Sequence, residues 1–383
     1  MSIRKRYFFA LAAAVITLLV LPGSAIAAPT VTQVTTGLDS PRGIAFFNGR
    51  LVVAQAGHGG SDCFNAPGVP FPICVGASSS ITWVNTSNGA KTPLVSGLFS
   101  VSLGPEGTIG VSGLSARGEQ LFAQIGSTAR EAPPNIAIAQ AEAGQLLSVR
   151  ANGAWTKVAP VGTVDFDYTT QFPEPNPAVC GQCNGTQEHD ANPYGVLASD
   201  EGVYVADAGA NTLDRIGDGG KVRILLRDGW RDPNPNNFPS DSVPTCVAQT
   251  EDGLIIGELS GRVLKVHDGG FTVINNPLFT HITGCTTDHN GNVYFVNMFG
   301  RGAPFTPPPA SMFFIGNVVQ YNADSGKASV LVPGLQFPNM DTIGPDGNLY
   351  VTVGSICGAT PDPMCNGATG GVIKVTLPHQ NQG

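Results

Sequence analysis

Hydrophobic and polar positions along this chain alternate in short bursts, and the bursts recur. Six times a two-residue turn ending in glycine leads into an apolar, β-branched run that closes near a small or polar residue. The turns are Asn48-Gly49, Arg117-Gly118, Glu201-Gly202, Asp252-Gly253, Asn290-Gly291 and Asp346-Gly347. The runs behind them include Leu51-Val52-Val53-Ala54, Val203-Tyr204-Val205-Ala206, Val293-Tyr294-Phe295-Val296 and Leu349-Tyr350-Val351. Asn-Gly and Asp-Gly between apolar runs predict hairpins, because such turns need residues that accept positive φ. Further runs, such as Ile81-Thr82-Trp83-Val84 and Val318-Val319-Gln320-Tyr321, predict a third strand. Turns such as Asn88-Gly89 and Ser325-Gly326 then lead to a fourth, as at Ser329-Val330-Leu331-Val332.

With the four strands named A to D, the most compact unit, Leu254 to Val293, recurs within about forty residues, the spacing of a propeller blade. The sixth unit lacks a D strand: Val372-Ile373-Lys374-Val375 is its C strand, and the sequence stops soon after. The missing strand matches the other end, where Val31 to Leu38 repeats the D-strand ending Val332-Pro333-Gly334-Leu335. The predicted fold is therefore an all-β, six-bladed β-propeller with four-stranded antiparallel blades, the N-terminal strand completing the last blade. Two separate β domains are the alternative, but neither half accounts for the borrowed strand.

Composition narrows this further. Charged residues make up 13% of the chain, about half the globular average of roughly 25%. The 49 Gly and 30 Pro fit frequent turns better than long helices. A net charge of −8 gives no overall electrostatic footprint for nucleic acid and disfavours polyanionic partners.

The first residues read as an address. Arg4, Lys5 and Arg6 precede an uncharged apolar run from Tyr7 to Leu21, and Ala25-Ile26-Ala27 gives a small-x-small cleavage site. Residues 1–27 are expected to be a signal peptide and 28–383 a single propeller, secreted or periplasmic, with no membrane span after cleavage. Export makes the eight cysteines readable as disulfides. Cys63 and Cys74 share one loop, and Cys357 and Cys365 another. Cys180 and Cys183 suit a local bridge better than a redox pair, since their flanks read as loop. Cys246 and Cys285 occupy one column with Gly43, Gly113, Gly195 and Asp341, eight residues before strand B, where small residues let blades approach the axis. An inter-blade bridge there requires Cα atoms within about 7 Å.

Strand polarity places the chemistry. All six long insertions, Gly57 to Ala77, Gly126 to Ala143, Gly162 to Ala191, Gly229 to Asp241, Met298 to Ile315 and Gly354 to Gly370, are B–C or D–A connections, so they gather on one face. Near the end of strand B the blades carry Gln55, Gln124, Asp207, Glu258 and Asn297, with Val353 in the sixth. Such a column either caps the following turns or forms a ring of oxygen ligands. In the second case Asp207, Glu258 and Asn297 suit a hard divalent cation, calcium, at the channel. The densest polar cluster, Glu188-His189-Asp190-Ala191-Asn192-Pro193-Tyr194, precedes the third blade. His189 there is either a general base or metal ligand or, more simply, a solvent-facing loop residue. Arg42 begins strand A at the same face, placed to hold a ligand carboxylate or to pair with a neighbouring acid. Arg42, His189, Asp190, Asn192 and Tyr194 are the ligand-binding candidates.

The segment from Val203 to Ile216 resembles an NHL repeat. The whole pattern, including Asp190-Ala191-Asn192-Pro193-Tyr194-Gly195 and the signal peptide, is similar to the ScyD/ScyE family of exported proteins, named for their association with production of the pigment scytonemin. That resemblance implies fold and export; it carries no catalytic residues over to this chain. No G-x-S-x-G elbow, P-loop or H-E-x-x-H sequence is present. The expectation is a ligand-binding or scaffold module that presents its loop-rich face to a small molecule, glycan or envelope protein. The alternative is a divalent-metal-dependent hydrolase or lyase of the gluconolactonase or streptogramin-lyase type.

Overall fold

The computed structural model describes residues 29–66, 69–104, 107–175, 185–232, 238–268, 270–300, 315–361 and 363–378. The expectations for residues 1–27 and for Cys180 and Cys183 lie outside the described residues. Strand β1 (Thr30–Leu38) opens the described chain. Blade 1 then contains β2 (Pro41–Phe47), β3 (Arg50–Gln55), β4 (Asp62–Phe64), β5 (Ile73–Val84), β6 (Lys91–Ser102) and β7 (Thr108–Ile109). Blade 2 is β8 (Val111–Arg117), β9 (Gln120–Ile125), β10 (Leu146–Val149) and β11 (Trp155–Ala159). Blade 3 is β12 (Pro193–Ser199), β13 (Gly202–Asp207), β14 (Thr212–Ile216) and β15 (Val222–Arg227). Blade 4 is β16 (Pro244–Thr250), β17 (Gly253–Glu258), β18 (Val263–His267) and β19 (Gly270–Ile274). Blade 5 is β20 (Ile282–Thr287), β21 (Asn292–Asn297), β22 (Ile315–Asn322) and β23 (Ala328–Gln336). Blade 6 is β24 (Asp341–Ile343), β25 (Leu349–Val353), β26 (Gly370–Thr376) and β1, in the order β1-β26-β25-β24.

The ring closes as the sequence predicts. β1 runs antiparallel to β26, with Val31 opposite Val375, Thr32 opposite Lys374 and Gln33 opposite Ile373. Side chains also tie β1 to blade 1: Thr35 Oγ1 donates to Gly89 O at 2.9 Å, and Lys91 Nζ donates to the Thr36 and Gly37 carbonyls at 2.6 and 2.7 Å. One strand thus joins the last blade to the first and covers the edge that β26 would otherwise expose.

The inner strands touch in ring order around the axis. Glycine permits this at two seams in particular: a Cβ on Gly43 would sit 2.7 Å from Leu114 N, and one on Gly284 2.5 Å from Asn339 O. Hydroxyls stitch seams around the ring. Ser112 Oγ donates to Pro193 O, Thr245 Oγ1 to Ile282 O, Thr283 Oγ1 to Asn339 O and Thr352 Oγ1 to Arg42 O, at 2.7 to 3.2 Å. Between blades 4 and 5 the column holds the Cys246–Cys285 disulfide, with Cα atoms 5.7 Å apart. Cys63–Cys74 and Cys357–Cys365 are bridged within their inserts. These three bridges fit an oxidising compartment. Among the described residues no helix is long and apolar enough to cross a membrane.

Three inserts are not plain loops. In blade 1, β5 and β6 run twelve residues each, rise past the blade and carry β4 and β7 on their edges. Register shifts between Gly76 and Ser80 bend this hairpin. The blade 2 insert contains α1 (Ala137–Glu142), and the linker to blade 3 contains α2 (Val161–Thr169).

Candidate functional site

The loop-rich face carries a pocket of about 440 Å³ between the raised blade 1 hairpin, the blade 2 insert and the linker into blade 3. Its walls are apolar because alternate residues of the extended strands face it: Phe64 from β4, Ile73 and Val75 from β5, Phe99 and Val101 from β6. Its polar groups converge from the other side, where Glu131, Asp190 and Asn192 complete the lining. Two of the five ligand-binding candidates therefore stand in one concave site. Asn192 is fixed there by its own bonds: Oδ1 accepts from Ser127 N at 3.0 Å, while its backbone N–H donates to Asp207 Oδ1 at 2.8 Å.

Glu131 was not singled out by the sequence. The residue is exposed as a whole, but it lines the pocket beside Asp190. Loss of solvent around the carboxyl, then the adjacent Asp190 charge, push Glu131 up to about 8. Burial likewise raises Asp190, with repulsion from Glu188 adding to it and the Ala191 N–H opposing it. Neighbouring carboxyls cannot both ionise cheaply, so each favours its neutral form more than an ordinary carboxylate does. A neutral carboxyl in an apolar wall donates one O–H to a ligand oxygen.

Arg42 and Tyr194 lie beside this pocket, at the mouth of the axial channel. Arg42 Nη1 donates to Tyr194 Oη at 3.3 Å and Nη2 to Thr108 O at 3.0 Å. The Tyr194 hydroxyl rests on the amide of Asn339, 2.7 Å from Nδ2 and 2.9 Å from Oδ1. Arg42 thus bonds a tyrosine and a carbonyl, and this chain links blades 1, 3 and 6. His189 is elsewhere: Nε2 meets Phe172 O at 3.1 Å and Nδ1 meets Glu174 Oε1 at 3.2 Å.

The column at the ends of the B strands is occupied within its own blades. Asp207 Oδ1 accepts from the backbone N–H groups of Asn192, Gly209 and Ala210, capping its turn. Glu258 Oε2 accepts from Ser260 Oγ and from Arg262, which also pairs with Asp228. Asn297 Oδ1 accepts from Thr280 N, and Nδ2 donates to Leu278 O and Asn317 Oδ1. Gln55 similarly bonds Asp39 N, Ser80 and Thr82. Asn297 commits both ends of its amide locally and Glu258 has its own cation, so Asp207, Glu258 and Asn297 do not fit a single calcium ion. Among the described residues no group of three or more His, Cys, Asp or Glu side chains is disposed to hold a metal.

Asp207 has different neighbours. Asp165 from α2 hydrogen-bonds it, and Asp214 from β14 follows on the other side of Asp165. All three are fully buried, and each keeps one carboxyl oxygen without a hydrogen-bond donor. Burial raises all three above the ordinary carboxylate range, Asp214 to about 8. They form a buried, structural chain of carboxyls whose neutral forms burial favours. The sequence placed Asp207 in a polar column but gave no signal for Asp165, since α2 has no amphipathic period to announce it.

No protein-family model and no curated protein matches the chain. Solved structures do resemble it. A gluconolactonase from Xanthomonas campestris superposes with a TM-score of 0.54 at 11% identity, covering 93% of each chain. A protein of unknown function from Bacteroides thetaiotaomicron gives 0.55 at 11% identity, covering 91% of this chain and 76% of that one. The PQQ-bound aldose sugar dehydrogenase of Streptomyces coelicolor gives 0.51 at 12% identity, covering 91% and 98%. At such identities the likeness establishes the six-bladed propeller fold and nothing finer.

Proposed function

We propose that this protein is an exported, ScyD/ScyE-like propeller acting as a binding or scaffold module, with a small, largely apolar ligand held in the pocket on its loop-rich face. One observation carries the reading: an apolar pocket of about 440 Å³, closed on one side by the carboxyls of Glu131 and Asp190. That volume lies in the range that encloses small ligands, and few convergent polar groups in an apolar wall are what orients them. The apolar body of the ligand fills the space between Phe64, Phe99 and Val101, and a carbonyl or hydroxyl oxygen accepts the carboxyl proton. Nearby Arg42 and Tyr194 extend the polar edge toward the axis, where a glycan or envelope partner meets the same face.

The competing reading is a metal-dependent lactonase or lyase, and the experiment separates the two. Purified protein is incubated with lactones and sugar acids, with and without added calcium or magnesium, while retained metal is measured by elemental analysis. Background turnover under every condition is expected. Metal-dependent hydrolysis would reject the binding-module reading.

A further inference from the structure

We propose that the opposite face holds a second site, a groove between blades 2 and 3 that takes an anionic polysaccharide. The groove encloses about 950 Å³ and lies among the tight turns, away from every insert. Arg117, Lys157, Arg215, Lys221 and Arg223 line it, against only Glu201 and Asp218. Among the described residues none of these five cations forms an ion pair. Lys157 also feels the carboxylate of Glu142. A chain of net charge −8 has thus gathered a quarter of its 20 basic residues into one concave strip. Net charge disfavours polyanions for the molecule as a whole. Inside a cleft, however, field lines are focused and the local sign decides what is drawn in.

The shape favours a chain of sugars over a single anion. The cations are spread from the end of β8 across to β15, so no one small anion meets them all. Beneath them Phe122, Val203 and Ile216 form a buried floor, so the groove surface is set by the stems and charged heads of the cations, which suits the hydroxyls and anionic groups of a sugar chain. Arg117 is held over the Phe122 ring, 5.5 Å from its centroid, and donates to Ser199 O, so its position is fixed before any ligand arrives. The Gly217–Gly220 turn forms one rim, and Gly220 presses on Val158 O of β11 where any Cβ would overlap. The rim therefore stays narrow and leaves the groove open. Guanidinium forks above such a floor match carboxylate or sulfate groups repeating along a polymer.

The test is binding of polygalacturonate and dextran sulfate to the full protein, with neutral dextran and a DNA duplex as further arms. Carboxylated or sulfated polysaccharide should bind in low salt and weaken as salt rises, and neutral dextran should not bind. Lys221→Glu/Arg223→Glu should weaken binding by roughly tenfold or more, since both side chains are exposed and reversing them opposes the ligand charge. The charge-matched control Lys265→Glu/Lys327→Glu should change it less than threefold. Three results would overturn the proposal: no binding to either polyanion, equal loss in the control, or tighter binding of DNA than of polysaccharide. Comparing the two charged polymers assigns the groove to carboxylate or sulfate.

Discussion

Removing the Cys246–Cys285 bridge tests whether the ring melts as one body. The bridge joins inner strands of blades 4 and 5 and spans 39 residues. In the chain-entropy account, releasing a loop of that length costs about 4 kcal/mol by freeing the unfolded state. With an unfolding entropy of about 2 cal/mol/K per residue, a ring of this size loses about 0.7 kcal/mol of stability per degree near its midpoint. The double substitution Cys246→Ala/Cys285→Ala should then lower Tm by about 6 °C. Calorimetry at fixed scan rate reads this directly, and a single cooperative endotherm should persist. The seam keeps the Thr245 Oγ1 bond to Ile282 O, so the blades should not separate outright. A shift below 1 °C, or a melt that splits in two, would refute the idea that this seam belongs to one cooperative ring.

Other outcomes follow from the same contacts. Deleting Pro29 to Thr36 removes the outer strand of blade 6 and its bonds to blade 1, so it should lower global Tm and promote association through the exposed edge; a monomer melting at the original temperature would contradict this. Gly195→Ala places a Cβ onto Thr245 O and within 2.9 Å of Cys246 Cα, backbone that cannot step aside, and should cost about 3 kcal/mol in a denaturant titration. The buried carboxyls Asp165, Asp207 and Asp214 bind protons more tightly folded than unfolded. For Asp214, raised to about 8, the contribution is therefore fully present below about pH 4 and is lost as pH rises toward about 8, with a slope of about 1.4 kcal/mol per pH unit; burial acts in the same direction on Asp165 and Asp207. Asp214→Asn should flatten that slope between pH 5 and 8, and an unchanged slope in chemical denaturation would count against the carboxyl chain.

The fold was largely legible because each blade announces itself twice, by a glycine turn and by the continuous apolar, β-branched run of a strand buried on both faces. The borrowed strand followed by subtraction, whereas the column of Cys246 and Cys285 left an inter-blade bridge open until the structure set their Cα atoms 5.7 Å apart. The inserts were harder. Ala137 to Glu142 was read only as part of an insertion, although its alanines favour the helix α1 found there, and the extension of β5 and β6 depends on pairing that no local pattern specifies. The pocket was half visible: Asp190 and Asn192 lie in a conspicuous polar cluster, but their partner Glu131 is an isolated acid in another insert, brought to them only by tertiary packing. The polar column was seen as a column, and its side chains mostly cap turns because the same strand end recurs in each blade.

The pocket is the centre of the functional account, and occupancy by a probe tests it most directly. Nile red, neutral and apolar with a carbonyl acceptor, is titrated against the protein and against Ala132→Trp, which fills the pocket from its partly exposed blade 2 side. Saturable one-site binding that weakens by roughly tenfold in the filled variant, with Tm unchanged, is the predicted result. Equal affinity for both proteins, or no saturable binding to either, would contradict it.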